Sequence, residues 1–460
     1  MANNEATGML PVEKRAAGSL AGIFALRMLG LFMLLPVLAL YAESFEGATP
    51  MLMGVALGIY GLTQAMFQIP FGMLSDRIGR KKVIAIGLLI FAAGSVVAAQ
   101  ATTIEGIIIG RALQGAGAIA AAAMALLADL TREEQRTKAM ATFGMSIGVS
   151  FMMAIIIGPI LNGWIGVSGI FWLTGALALL GIIVLFKVVP TPVHSHMHHD
   201  AETDPAQFGD VLKDGQLLRL DFGIFALHLI LTAMFVVIPI GLRDAGLVAG
   251  DHWMVYLGVM LVSVAIMVPM IIVAEKKGKM KEMFSLAIVL VAFAQFGLWQ
   301  LSDSLWGVIL MMVLFFGGFN LLEATLPSLI SKMAPADKKG TAMGVYSSSQ
   351  FFGAFVGGVL GGWILGWSDG VEIAPVFLLT GALAVVWLLA ALSMQRPLQV
   401  KTRLQNIGQL DQPQAALLAA QFREVAGVVE AVVIAEDQVA YLKVNEKELD
   451  EKGLAAIQST

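Results

Sequence analysis

The chain has 460 residues, of which 58% are hydrophobic and only 13% charged, with a formal net charge of -4. Soluble domains carry about one quarter charged residues, so this composition excludes an ordinary soluble protein and points to a chain built mostly of membrane-spanning helices. The sequence has no cysteine, which excludes disulfides, thiolate metal sites and cysteine nucleophiles.

Apolar windows of about 20 residues, the length that crosses a hydrocarbon core about 30 Å thick, recur nearly from end to end. Bounded by charge and turn residues, they predict twelve spans, at 17–41, 50–74, 83–101, 105–129, 138–165, 169–189, 217–242, 252–274, 283–301, 305–331, 341–367 and 374–394. The first window holds Arg27 and runs through Pro36 to Tyr41 without a small-residue cleavage pattern, so it is expected to remain as a span rather than be removed as a signal. A polar linker, 190–216, separates the sixth and seventh spans and contains the tract His194-Ser195-His196-Met197-His198-His199. Such tracts can bind metal, but no carboxylate pattern fixes a coordination geometry here, and a solvated linker without metal or other cofactor is expected. Beyond the last span, 397–460 has mixed composition. A strand at 399–404, a helix at 412–425, strands at 428–435 and 438–444 and a helix at 446–457 give the order βαββα of a small ferredoxin-like α+β domain.

Charge is distributed by side. One set of loops carries Arg77, Arg80, Lys81 and Lys82, then Arg132, Arg136 and Lys138, then Lys276, Lys277, Lys279 and Lys281, then Lys332, Lys338 and Lys339. The opposite set holds one basic residue, Arg243, among Glu43, Glu46, Glu105, Asp244, Asp251, Asp303, Asp369 and Glu372. The positive-inside rule therefore places the basic end of the bundle, and both termini, in the cytoplasm.

The chain also repeats itself at an offset of about 200 residues. Gly22-Ile23-Phe24-Ala25-Leu26-Arg27 returns as Gly223-Ile224-Phe225-Ala226-Leu227-His228. The loop Asp76-Arg77-Ile78-Gly79-Arg80 returns as Glu275-Lys276-Lys277-Gly278-Lys279, and Pro70 is matched by Pro269. Leu173 to Ala178 recurs as Leu379 to Ala384. The expected fold is an all-α membrane protein of twelve helices in two six-helix halves, 1–189 and 217–396, joined by the linker and followed by the small α+β domain. Two parallel halves rocking about a midplane site are one design for alternating access.

Gly72-Met73-Leu74-Ser75-Asp76-Arg77-Ile78-Gly79-Arg80-Lys81 resembles the signature loop between the second and third helices of the major facilitator superfamily. Arg111-Ala112-Leu113-Gln114-Gly115-Ala116-Gly117 resembles the fourth-helix motif of its proton-coupled members. The fifth-helix antiporter motif is partial, since Gly158-Pro159 stands but Ala154 and Asn162 occupy glycine positions, and this leaves the direction of transport open. The resemblance covers about 1–396. It implies a proton-coupled secondary transporter of the bacterial inner membrane with no enzyme activity and no nucleic-acid partner, a monomer exchanging protons against a small molecule. The run from Gly427 to Val444 resembles the core of heavy-metal-associated domains, without the paired cysteines that bind metal there.

The family's latch carries over to Gly72, Asp76, Arg77, Gly79 and Arg80, with Asp129, Arg132 and Arg136 facing them and Glu275 in the second half. It implies that Asp76 meets Arg132 or Arg136 and the segment near Gly340, and that Asp129 meets Arg77 or Arg80. Inside the spans the polar residues are few, and each ion at a helix centre costs about 2.5–3.5 kcal/mol, so they are expected to face a wet cavity or one another. Glu323 is read as the only carboxylate deep in a span and hence the proton site, coupled to Arg111 and His228. Arg27, Gln64, Gln114, Asn320 and Gln350 are expected to line the substrate cavity, with Arg27 and His228 at equivalent repeat positions on its two walls. Glycines 353, 357 and 361, with Gly358 and Gly362 beside them, and Gly144 and Gly148 on the fifth span, are expected to allow close helix packing. The resulting function is export of small amphiphilic compounds. A symporter for a small anionic metabolite, favoured by Arg27 and Arg111, and a membrane sensor signalling through 397–460 are the alternatives.

Overall fold

The computed structural model describes residues 8–41, 44–192, 205–335, 338–395, 401–408, 410–435, 438–445 and 448–458. The histidine tract of the linker lies outside them. Among the described residues eleven helices are long and apolar enough to cross a membrane. The first span is Pro11–Phe32 continued by Leu35–Tyr41, the second Pro50–Ile78, the third Arg80–Gln100, and the fourth Ile104–Ala116 with Ala120–Asp129. The seventh to twelfth are Gly215–Asp244, His252–Lys276, Met280–Leu301, Leu305–Met333, Lys339–Leu365 and Ala374–Leu392.

The fifth and sixth spans, expected as separate helices, run together as Glu133–Lys187, interrupted at Gly166 with φ 68° and ψ 177°. The apolar stretch Lys138–Lys187 is 50 residues long. At 1.5 Å per residue it would extend about 75 Å, more than twice a bilayer core, so the break at Gly166 is where one crossing turns into the next. Twelve crossings and eleven helices are thus the same chain.

Local chemistry sets the helix ends. Pro11 and Pro50 stand at first helical positions, where the missing N–H costs nothing. The Thr49 hydroxyl accepts the Leu52 N–H at 3.2 Å. Gly79 ends the second helix and starts the third at φ +100°, and its repeat counterpart Gly278 also has positive φ, 64°. The two loops matched in sequence therefore turn by the same left-handed device. Pro70 and Pro269, matched in the same way, both lie inside their helices.

Two ladders of glycine fix the eleventh span. Gly353, Gly357 and Gly361 lie against the backbone of the seventh span at Phe225, Leu229 and Ala233, within the C-terminal half. Gly358 and Gly362 lie against Gly54, Gly58 and Pro50 of the second span, across the boundary between halves, and Gly61 meets Phe351 there. Gly144 and Gly148 do not behave as expected: nothing stands within 4 Å of a Cβ at either position, because that face of the fifth span is open.

The halves meet at the acidic end. Met33 to Ala39, Met53, Leu57, Phe151 and Phe171 of the N-terminal half belong to one apolar core with the C-terminal half, whereas Leu20, Phe24, Val83, Leu126 and Phe143, nearer the basic end, form a core of their own. Toward the basic end the second and eleventh spans separate around a cleft of about 460 Å³ lined by Leu62, Met66, Ile69, Val345, Ser349 and Phe352, with Phe208 and Leu212 of the linker at its edge. Exposed Trp164, Trp306, Trp363 and Trp367 all sit near the acidic end, as expected of side chains at a membrane interface.

In the last domain, β1 (Lys401–Asn406), β2 (Val428–Ile434) and β3 (Val439–Val444) form an antiparallel sheet in the order β1-β3-β2. The parallel β1 and β2 flank β3, a split βαβ arrangement, with helices Gln412–Glu424 and Glu451–Gln458 supplying Phe422 and Leu454 to its core. Lys443 on β3 donates to the Ala334 carbonyl at 2.6 Å, and so places a cation at the C-terminal end of the tenth span, where the helix dipole favours one.

Candidate transport site

The latch residues form one cluster within the N-terminal half. Asp76 pairs with Arg80, and Arg80 Nε lies 3.4 Å from Oδ2 of Asp129, whose side chain is buried. Arg80 also donates to the Ser75 hydroxyl at 2.8 Å. Arg132, expected opposite Asp76, instead engages Glu13: its Nε and backbone N–H each donate to Oε1 at 2.9 Å, and Nη2 reaches the Gly8 carbonyl at 3.0 Å. The signal for this tie, Pro11-Val12-Glu13 at a helix start, was present but lay outside the motif. Arg136 is buried, and Arg77 and Gly79 are exposed. In the matching loop Glu275 is exposed, and no ion pair holds it among the described residues.

Inside the N-terminal half, Arg27 donates to Gln64 Oε1 at 2.6 Å, and Gln64 donates to Gln68 at 3.2 Å. Arg111 donates to the Ala56 and Leu57 carbonyls and to Gln114, each at 3.3 Å, and Gln114 donates to the Ser95 hydroxyl at 2.9 Å. No carboxylate joins this network among the described residues. The Tyr60 ring takes that place, with the Arg27 and Arg111 guanidinium carbons 5.4 and 5.2 Å from its centroid. Arg27, Gln64, Arg111 and Gln114 are at most 1% exposed. The structure therefore places Arg27, Gln64 and Gln114, expected to line the cavity, and Arg111, expected to couple to Glu323, within the packed half, where the Arg111 hydrogen bonds go to Ala56, Leu57 and Gln114.

The C-terminal half presents the complementary set. The His228 Nδ1–H donates to the Ile224 carbonyl at 3.3 Å, which leaves Nε2 as an acceptor. Gln350 Nε2 donates to that Nε2 at 2.9 Å and to Glu323 Oε1 at 3.2 Å. Glu323 Oε2 has no hydrogen-bond partner and lies 3.8 Å from His228 Nε2, and the Glu323 side chain is 29% exposed. Asn320, one turn away, donates to the Ser263 hydroxyl at 3.0 Å. Toward the acidic end the cluster is roofed by phenyl rings: Phe319 is 6.0 Å from the His228 ring, and Phe151 of the opposite half lies 5.7 Å from Phe319 and 5.1 Å from Phe32.

Glu323 is not the only deep carboxylate, as the sequence had suggested. Asp221, six residues into the seventh span, is 6% exposed, and neither of its oxygens has a hydrogen-bond partner. Its signal was visible as a lone acid in Leu220-Asp221-Phe222. The span limit drawn at 217 left it near a boundary, where an acid attracts no notice.

A bundle of apolar helices in two repeated halves, closed at one end and cleft at the other, with a few polar side chains in its middle, defines a multi-pass membrane transporter. Residues 20–276 and 249–426 match the Major Facilitator Superfamily, and the chain belongs to that family. It is 48% identical over 440 residues to the inner membrane transport protein YajR of Escherichia coli strain K12, covering 95% of this chain and 96% of that one. The multidrug resistance protein MdtH of Aeromonas hydrophila is 26% identical over 336 residues, 69% of this chain and 79% of its own. Among solved structures, a bacterial homologue of the human lysosomal transporter Spinster, inward-facing and occupied, shares the fold with a TM-score of 0.69 at 13% identity, over 85% of this chain and 98% of its own.

Proposed function

We propose that the protein is a proton-coupled secondary transporter of the bacterial inner membrane that exports small amphiphilic compounds by alternating access. The observation that carries this reading is the Glu323–Gln350–His228 cluster beneath the phenyl roof. One amide donates to two acceptors, and a carboxylate oxygen and an imidazole nitrogen stand 3.8 Å apart, close enough for a proton on one to alter the affinity of the other. A proton on either changes the charge of the cluster in the middle of the membrane field. One elementary charge crossing 100 mV releases about 2.3 kcal/mol, enough for roughly a fifty-fold substrate gradient.

The surroundings of the cluster favour amphiphiles. The rings of Phe319, Phe151 and Phe316, buried in this conformation, lie beside a few polar groups, and movement of the halves about them would expose the apolar surface that a small-molecule site uses. The MdtH relative is called a multidrug resistance protein, which agrees with this substrate class. An anionic substrate draws less support, because Arg27 and Arg111 are buried against Tyr60 rather than turned toward the cleft.

Proteoliposome flux over a panel of amphiphiles, with an imposed pH gradient, tests the reading. Glu323→Gln keeps shape and hydrogen bonding but cannot titrate. It is expected to abolish accumulation driven by the pH gradient while sparing downhill exchange. A folded Glu323→Gln variant that still concentrates substrate overturns Glu323 as the proton site. Ligand binding without ligand-dependent flux favours a sensor.

A further inference from the structure

We propose that Asp221, together with Tyr346, is a second proton-binding site of the transporter, so that closing and opening of the basic end is linked to two protons rather than one. The inference rests on the proton-coupled reading above. A structural aspartate in an apolar helix is expected to be satisfied by donors, as nearly all buried polar groups are. Both Asp221 oxygens are instead without partners, as is the Tyr346 hydroxyl, which is 3% exposed on the eleventh span. An ionised carboxylate without donors or a counter-cation costs several kcal/mol, so this conformation accommodates the acid form.

The placement is ordered. Asp221 is seven residues before His228, two turns along the same face of the seventh span, and Tyr346 is four residues before Gln350, one turn along the eleventh. Both helices start at the basic end, so the two orphans lie between the Glu323 cluster and that end. Tyr346 is within electrostatic reach of both Asp221 and Glu323. Other charges near Asp221 are few. The twelfth span has no titratable side chain over Ala374–Leu392, the tenth brings Glu323 and, in its last turn at the basic end, Lys332, and the eleventh brings Lys339 at its start besides Tyr346. On the seventh span itself, Arg219 is half-buried and bound to Ser393 and the Gly215 carbonyl. Leu35–Tyr41 of the first span and the second span also touch the seventh; they carry Tyr41 and Tyr60, and the basic-end Asp76 and Arg77 of the second belong to the latch.

On two packed helices, an acceptor pair without donors and a donor without an acceptor can be brought together as a hydrogen bond. The eleventh span meets the seventh through Gly353, Gly357 and Gly361, where no side chain of the eleventh stands between the two backbones. When the Asp221 acid gives its proton to water, the Tyr346 O–H donates to the resulting carboxylate, and the reverse step restores the acid seen here.

The experiment uses the full chain, whose lack of native cysteine allows nitroxides at Ile78→Cys and Lys277→Cys, equivalent basic-end loops of opposite halves. Double electron–electron resonance in lipid nanodiscs gives the open-to-closed ratio against pH, and its logarithmic slope counts the linked protons. The wild-type slope is expected to be two, falling to one in Asp221→Asn. Tyr346→Phe, which keeps the aspartate but removes the donor, is expected to fall to one as well and covers the case in which Asp221→Asn does not fold. A slope unchanged in these variants but reduced in Glu323→Gln overturns the second site and leaves the first. A flat wild-type profile overturns both.

Discussion

Gly58→Ala should tilt the conformational balance of the transporter toward opening at the acidic end. A Cβ at Gly58 would stand 2.7 Å from the Phe355 carbonyl oxygen and 3.0 Å from its Cα. Comfortable carbon contacts lie at roughly 3.5–4.0 Å, and the opposing atoms are backbone, so the two helices must part by more than half an ångström. Overpacking of this size costs about 1–3 kcal/mol. Gly58 and Phe355 belong to opposite halves, so the cost falls only on the conformation in which those halves touch, and it converts to about a 5- to 150-fold shift in the equilibrium. The higher helix propensity of alanine acts in both conformations and cancels. The assay is the labelling rate of Leu38→Cys by a membrane-impermeant maleimide, since Leu38 is 0% exposed within this closed end. Gly144→Ala, with nothing within 4 Å, is the control for an added methyl group. Gly357→Ala, whose Cβ would meet Leu229 Cα at 2.8 Å inside one half, should lower thermal stability without speeding labelling. If Gly58→Ala folds and labels no faster than Gly144→Ala, the glycine contact does not hold the acidic end shut.

Asp76→Asn removes the charge that holds Arg80 beside Asp129, and should speed maleimide labelling of Met66→Cys in the cleft; unchanged labelling with unchanged transport would reduce Asp76 to a residue of the topology signal. The Lys338 ammonium, 2.7 Å from Asp210, holds that carboxyl below its ordinary value, so the tie between linker and eleventh span is present above about pH 4 and is lost only as pH falls through the depressed value. Protease cutting of the linker should therefore be the same at pH 5 and pH 8 and rise in Asp210→Asn, and a rise between pH 8 and pH 5 in the wild type would refute the assignment. Reporters fused at residue 1 and residue 460 should both read cytoplasmic, and a periplasmic signal at either would contradict the placement of the basic loops inside.

The fold was legible because a bilayer allows few solutions. Twenty-residue apolar windows, basic loops on one side and a repeat at constant offset leave little freedom in where helices run, and β1, β2 and β3 fall within about two residues of their expected limits. What escaped was continuity: Gly163, Gly166 and Gly169 mark a turn in the sequence, yet only the φ of Gly166 shows that the fifth and sixth spans meet without a loop. The glycine stripes were equally visible on the fifth and eleventh spans, because spacing reveals a smooth face but not whether a neighbour fills it. Gly357 has one and Gly144 does not.

The site was legible as a list of residues and hidden as a partition. Rarity alone picks out Arg27, Gln64, Arg111, Gln114, His228, Asn320, Glu323 and Gln350, since each is an expensive residue in an apolar helix. Which of them serves the half and which serves the cleft depends on partners that lie far away in sequence. Tyr60 is 33 residues from Arg27 and 51 from Arg111, and its ring, with that of Phe91 at Arg27, faces two guanidinium groups that stay inside one half without an acid. The consequence is an unequal division of labour between two halves that share an ancestral repeat. The N-terminal half buries Arg27 and Arg111 among carbonyls, amides and the rings of Tyr60 and Phe91, with Arg27 Nε and Nη1 left without hydrogen-bond partners, whereas the C-terminal half leaves oxygens of Glu323 and Asp221 unsatisfied. On the proposed reading the difference that matters is chemical: a guanidinium stays charged throughout, whereas a carboxylate can take up and release a proton, so the orphaned acids put the proton-binding groups in the C-terminal half.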